Sequence, residues 1–254
     1  MRQVAEDDLI VIRRLLDRCT VDERRALFTE LRASHPIHEL EATFGATAEV
    51  ILEAIHRAPE LTRRMLRGVI ADAAFAQLVV PPLAARGWRD ATPLGNFAYD
   101  HLLEDEAGRI SVQVKLQRSE RGRPIVTTGT KYGLTANMYV VEPQRTRGGT
   151  QRGGESSASE ESGKTRPYRY GDFDVLAVSL QPSTGDWAAV RYTVGNWLLP
   201  GKGANEIATY QPVAMQTDGD WTDDFATVAA WVRSGREKRI GGGRHSGGPL
   251  SASR

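Results

Sequence analysis

With 254 residues, 40% of them hydrophobic and 26% charged, the chain is long enough for one large domain or two smaller ones. A mean hydropathy of −0.40 is ordinary for a globular protein and excludes a disordered tail protein and a collagen. Thirty-three Lys and Arg against 32 Asp and Glu leave a formal net charge of +1, which as a whole-chain figure argues against a strongly electrostatic partner. No run approaches the roughly 18 to 20 apolar residues of a spanning helix, and the longest, 78–85, is broken by Pro81 and Pro82. One cysteine, Cys19, and no signal-type apolar stretch after Met1 lead us to expect a soluble, cytoplasmic protein without a membrane partner.

From Asp8 to about Arg57 apolar residues recur at helical spacing, predicting a helical N-terminal region over 1–58. Thr20 and Glu23 form the pattern of a capping box, and Thr47 is placed to open a third helix. A longer helix is predicted from Pro59 and Glu60 through Phe75, ending before Pro81 because an interior proline removes a hydrogen bond and clashes with the preceding turn. The period then changes from 3.6 to 2. Asn96–Leu103 and Arg109–Gln117 read as the strands of a hairpin joined by a polar stretch that ends in Gly108. Further strands are expected at Pro124–Thr128, Met138–Val141, Phe173–Leu180 and Trp187–Thr193, with a last helix over Thr222–Arg233. The stretch 144–166 is poor in apolar residues and reads as a mobile basic loop within a domain spanning 59–240, and 241–254 reads as a disordered tail.

Within Arg109–Gln117, Ile110, Val112, Val114 and Leu116 alternate with Ser111, Gln113, Lys115 and Gln117, so one strand face is apolar and the other polar. If the hairpin turns at Glu106 and Ala107, Asp100 pairs with Gln113 and Ala98 with Lys115. Phe97, Tyr99 and Leu103 then lie opposite Leu116, Val114 and Ile110 on the core face, with His101 also turned inward. Asp100, Gln113 and Lys115 would share the polar face within about 5 to 8 Å of one another. A carboxylate, an amide oxygen and an ammonium on rigid strands suit metal-assisted phosphodiester hydrolysis. Asp100 and Gln113 offer hard oxygen ligands for Mg²⁺, and Lys115 can orient the attacking water and offset developing negative charge. The chain has five lysines against 28 arginines, so a lysine at this position suggests that a compact ammonium is needed.

Asp100 followed by Gln113-Val114-Lys115 on a hairpin behind a helix resembles the PD-(D/E)XK nuclease superfamily. The likeness is greatest to type II restriction endonucleases in which glutamine replaces the acid, and it covers roughly residues 60–180. The resemblance implies a restriction-endonuclease-like α/β fold, a mixed central β-sheet flanked by helices. It also implies Mg²⁺-dependent cleavage of double-stranded DNA at a specific site and a homodimer. In a restriction-modification system a cognate DNA methyltransferase would act on the same sites without stable binding. Tyr99 stands where the motif has proline, and Asp72 is the helix acid nearest to joining the metal shell. The same residues also fit a repair or junction-resolving nuclease of this fold, or a DNA-binding protein with no catalytic role.

Candidate DNA contacts follow the motif: Gln117, Arg118, Arg121, Arg123 and Lys131, then Arg145 and Arg147, interleaved with Tyr132, Tyr139, Tyr168 and Tyr170. The five histidines form no metal-ligand spacing with Cys19 or each other, so no zinc site is expected, and Gly241–Gly243 lacks the context of a phosphate loop. Residues 109–169 hold twelve basic and five acidic side chains, a local +7, which leaves −6 for the remainder. The near-zero total therefore conceals a segregated distribution that concentrates attraction for phosphate near the motif.

Overall fold

The computed structural model describes residues 6–95, 97–129, 131–145 and 166–241, without the side chains of Glu6, Asp7, Lys131, Arg145 and Arg166. Most of the predicted basic loop and nearly all of the predicted tail lie outside the described residues. The chain divides into two units, 1–64 and 65–254. The first contains helices α1 (Glu6–Arg18), α2 (Val21–Ser34), α3 (Leu40–Phe44) and α4 (Ala48–Arg57). The expected capping box opens α2: Thr20 Oγ1 accepts from Glu23 N at 3.2 Å, while Glu23 Oε2 accepts from Thr20 N at 2.8 Å. Arg32 then bridges elements, donating to both carboxylate oxygens of Glu41 and to Glu49. These bonds, with the amides of Ile37 and Ala48, hold the Glu41 carboxyl down at about 2. No residue from 8 to 64 is buried, so polar capping and ion pairing supply the contacts that define this unit.

Helix α5 (Glu60–Ala74) runs past the boundary at residue 64 and through a π turn, Phe75–Val79, into α6 (Val80–Ala84). The helix therefore does not stop before Pro81. The wider turn absorbs the proline clash, and Pro81 and Pro82 follow it at the start of α6, after Val80 N has bonded back to Phe75 O. Without containing an unbroken apolar run, Glu60–Ala84 is the one helix among the described residues long and apolar enough to cross a membrane by length and composition, a test that the core helix of a globular protein also passes. Its buried residues, Ala71, Phe75, Val79 and Leu83, recur every four positions along one face.

The strands are β1 (Arg89–Asp90), β2 (His101–Asp105), β3 (Gly108–Leu116), β4 (Ser119–Glu120), β5 (Arg123–Pro124), β6 (Tyr139–Val141), β7 (Gln144–Arg145), β8 (Arg166–Pro167) and β9 (Val175–Ser179). After the short helix α7 (Gln181–Thr184) come β10 (Val190–Val194), β11 (Gln211–Val213) and α8 (Phe225–Arg233). The central sheet has the order β1-β2-β3-β9-β10 and is mixed: β3 runs parallel to β9 and the other pairings are antiparallel. Two-stranded pieces β6–β11, β4–β5 and β7–β8 flank it. This is the mixed α/β architecture with a helical N-terminal region that the sequence implied.

The hairpin register is the expected one, with Leu103 opposite Ile110 and His101 opposite Val112 around the two-residue turn Glu106–Ala107. Strand β2 starts later than expected, however, at His101. Asp100 N donates at 3.0 Å to the carbonyl of Val112, the residue already opposite His101, so the ladder slips and ends in a bulge. The chain peels away before it, and Phe97 is 44% exposed and stacked on Tyr99 at 5.3 Å rather than packed across from Leu116.

All five residues of β9 are buried, as a central strand covered on both faces requires. One face carries His101, Val112 and Tyr192. The ring of Phe75 lies 5.0 Å from that of His101 and 6.5 Å from that of Tyr192, and Phe225 of α8 lies 5.5 Å from Tyr192. The opposite face, carrying Gln113 and Lys115, is covered too. Leu176, Val178 and Thr193 are inaccessible on it, because β9 presents apolar residues in both directions.

Candidate active site

Alternation on β3 sends Ser111, Gln113, Lys115 and Gln117 to one face, and each meets a different environment. Odd-numbered amides of β3 point to β9 and its approach: Ser111 N donates to Asp174 Oδ2 at 2.8 Å and Gln117 N to Ser179 O at 3.0 Å. Even-numbered amides point towards β2. Where β2 has peeled away, Val114 N is taken by the side chain of Asp100, Oδ2 accepting at 2.8 Å. The bulge thus converts Asp100 from a ladder residue into a cap on β3, and fixes its carboxylate beside the motif.

Gln113, 1% exposed, donates from Nε2 to the same Asp100 oxygen and to Val114 O at 3.2 Å, while its Oε1 accepts from the hydroxyl of Tyr168 at 2.9 Å. Lys115 lies beside this pair, its Nζ 5.4 Å from the centre of the Tyr168 ring. Among the described residues its ammonium makes no hydrogen bond and no ion pair. Burial lowers the Lys115 pKa, opposed by the charges of Asp100 and Asp72. Burial raises the Asp100 carboxyl, opposed by Lys115 and the Val114 amide. Asp72, on α5, has Oδ1 2.8 Å from His101 Nε2, and its charge acts on both Asp100 and Lys115. His101 is 7% exposed on the core face, as expected.

Among the described residues no three His, Cys, Asp or Glu side chains gather as a metal-binding group. The oxygens that could hold Mg²⁺ are those of Asp100 and, after a half-turn of its amide, Oε1 of Gln113. These are hard donors of the type Mg²⁺ takes, carrying one formal negative charge between them. As oriented, the Gln113 amide presents Nε2–H rather than its oxygen to Asp100.

The candidate DNA contacts are scattered. Gln117 is 1% exposed, and among the described residues neither Nε2 nor Oε1 of its side chain has a partner. Arg118 is paired with Glu142 and lies 5.2 Å from the Tyr210 ring. Arg121 and Arg123 are exposed on the β4–β5 hairpin. Lys131 opens a short 3₁₀ turn and Arg145 ends β7, but their side chains lie outside the described residues, as does the whole of Arg147. The tyrosines serve the interior: Tyr132 packs on Tyr210 at 4.4 Å, Tyr139 is half-buried, and Tyr170 donates to Leu198 O at 2.7 Å. Tyr168, read from the sequence as an aromatic beside DNA, instead covers Gln113 and Lys115, and Asp174 was not singled out at all. The sequence signals were an aromatic residue five positions before the run Phe173–Leu180 and an acid inside that run, both too general to assign a contact.

No protein-family model and no curated protein matches the chain. A solved structure of a bacterial homing endonuclease, I-Ssp6803I, is similar to it at 22% identity with a TM-score of 0.35, covering 67% of this chain and 94% of that one. A likeness at that level decides nothing about function, which is argued from the site itself.

Proposed function

We propose that the chain is a Mg²⁺-dependent endonuclease that hydrolyses phosphodiester bonds of double-stranded DNA at a specific site, resembling PD-(D/E)XK enzymes with Gln113 at the acid position. The observation that carries this reading is Lys115. A half-buried ammonium with no acceptor among the described residues, 5.4 Å over an aromatic ring and next to a desolvated carboxylate, is costly unless an anion or a polarised water meets it. An ordinary surface Lys–Asp pair would be solvated and would need no cover.

Asp100 and Gln113 would hold the ion, which supplies Lewis-acid polarisation of the phosphoryl group and a lowered pKa for bound water. The chain's own groups do the rest. Val114 N fixes Asp100 Oδ2, so the carboxylate is aimed before substrate arrives. The Tyr168 hydroxyl would accept from the turned Gln113 amide in place of donating to it, and the Tyr168 ring covers Lys115 at 5.4 Å, which strengthens the ammonium's attraction for the extra negative charge of the pentavalent transition state. Arg121 and Arg123, with Lys131, Arg145 and Arg147 in the same basic stretch, would bind the duplex, above a base that Arg118 holds through Glu142 and Tyr210. A homodimer acting on paired half-sites and a cognate methyltransferase complete the reading.

Plasmid DNA incubated with the purified chain and Mg²⁺ should yield discrete fragments, and Lys115→Ala should lose at least 100-fold in rate, within the usual span for a group acting in the transition state. Cleavage of branched substrates only would point to repair or junction resolution. Full activity of Lys115→Ala would remove the assigned chemistry.

A further inference from the structure

Directly after the motif strand, the chain makes a two-stranded ribbon. Ser119 pairs with Pro124 and Glu120 with Arg123, and the turn between them is Arg121-Gly122, with φ of 49° and 76°. Positive φ at both central residues is the geometry of a type I′ turn, whose twist suits a tight hairpin and whose first position favours Asn, Asp or Gly. An arginine there is disfavoured, because its Cβ crowds the carbonyl in the left-handed region. Asparagine or glycine would form the same turn without that cost, so the turn does not explain the residue. Nothing else described in the fold uses it: among the described residues the side chains of Arg121 and Arg123 make no hydrogen bond, ion pair or ring contact. The base of the ribbon, in contrast, is fixed. Arg118 N donates to Val140 O at 2.8 Å and Ile125 N to Arg118 O at 3.0 Å, and the Arg118 side chain is held by Glu142 and Tyr210.

We infer that the β4–β5 ribbon is a sequence reader that enters the major groove of duplex DNA, with Arg121 at its tip donating in bidentate fashion to O6 and N7 of a guanine. This deepens the proposed function and rests on duplex DNA being the substrate. A two-stranded ribbon fits the B-form major groove, and the planar guanidinium fork matches the guanine edge. The deep, narrow major groove of duplex RNA would not admit it. Six residues separate Lys115 from Arg121. At about 3.3 Å per extended residue the tip lies at most about 20 Å from Lys115, so the guanine it reads falls within about six base pairs of the cleaved bond.

The test is selection of bound DNA from a pool of random 20-base-pair duplexes in EDTA, with the full chain and its Arg121→Gly and Arg121→Asn variants. Both replacements accept a left-handed backbone, so their melting temperatures should equal or exceed that of the unmodified chain. The unmodified chain should select duplexes with a fixed guanine. Both variants should bind those duplexes about 5- to 150-fold more weakly and accept any base at that position, the loss expected for one bidentate contact. Three results would overturn the inference: unchanged selection, an equal loss on every sequence with a shallower salt dependence (a phosphate contact), or equal binding to duplex RNA. The outcomes separate from those of the catalytic reading. Relaxed selection by the variants with no Lys115-dependent cleavage keeps the reader and removes the nuclease, and Lys115-dependent cleavage without guanine selection does the reverse.

Discussion

Replacing Gln113 by Glu is the sharpest probe of the proposed cation site, because it changes one atom in contact with Asp100. The amide Nε2 that donates to Asp100 Oδ2 becomes a carboxylate oxygen, while the opposite oxygen still accepts from Tyr168. Two carboxylates at hydrogen-bond separation, roughly 3 Å, repel by about 5 kcal/mol at an effective dielectric of 20. The alternative is to bind a proton. Holding a carboxyl of ordinary pKa protonated at pH 8 also costs about 5 kcal/mol, and that cost falls by about 1.4 kcal/mol for each unit the pH is lowered. The sign follows from linkage: the folded-state pKa of the pair is raised, so stability is complete at low pH and is lost as pH rises through that raised value. In EDTA, Gln113→Glu should therefore melt about 10 to 20 °C below the unmodified protein at pH 8, and by less than half that difference at pH 6.

A divalent cation between the two carboxylates would replace the missing proton. Mg²⁺ at 100 times its dissociation constant should return about 3 kcal/mol at pH 8, seen as a rise in melting temperature that the unmodified chain does not share in full. Melting within 2 °C of the unmodified protein in EDTA at pH 8 would mean that the amide does not contact Asp100. A large loss with no recovery in Mg²⁺ would leave the contact intact and refute the cation site.

Two other outcomes follow from burial on the same strand face. Burial lowers the Lys115 ammonium, so the rate of cleavage against pH should fall on the alkaline side below the ordinary lysine value. Lys115→Arg should abolish the alkaline limb whatever its effect on the maximum, because a guanidinium stays charged; a limb that survives in this variant belongs to another group. Gln117→Met should stabilise the protein by about 1 to 3 kcal/mol in urea denaturation, since it removes a buried amide with neither donor nor acceptor satisfied among the described residues. A loss of stability would show that the amide is held by a buried water.

The register of the hairpin was legible because it is over-determined: a turn ending in Gly108 and strict alternation from Ile110 to Gln117 admit one pairing that buries Leu103 opposite Ile110. The same reasoning could not see that Asp100 leaves the ladder. A bulge adds one residue without changing the alternation that precedes it, so Phe97 and Tyr99 still looked like strand residues. The long helix was misread at Pro81 for a related reason: the penalty for proline assumes an α-helical turn before it, and the π turn at Phe75–Val79 removes that premise. Tyr168 stands 55 residues from the amide it holds, in a segment without periodicity, and contacts at that separation leave no local pattern.

The polar face of β3 is a covered face, which the alternation of β3 alone does not reveal, and β9 explains it. A strand of five buried residues carries apolar side chains in both directions, so it demands cover on the face where β3 places Gln113, Lys115 and Gln117. Polar groups on a covered face cannot be decoration: each must be satisfied by the fold, be used by a ligand, or stand as an uncompensated cost. Gln113 is satisfied, through Asp100 and Tyr168. Lys115 and Gln117 are not satisfied by any described group, and Lys115 alone of the two carries a charge, for which desolvation is the more expensive. The alternating pattern found the right residues, but only the burial of the strand beside them turns Lys115 from a surface cation into a group held ready for an anion.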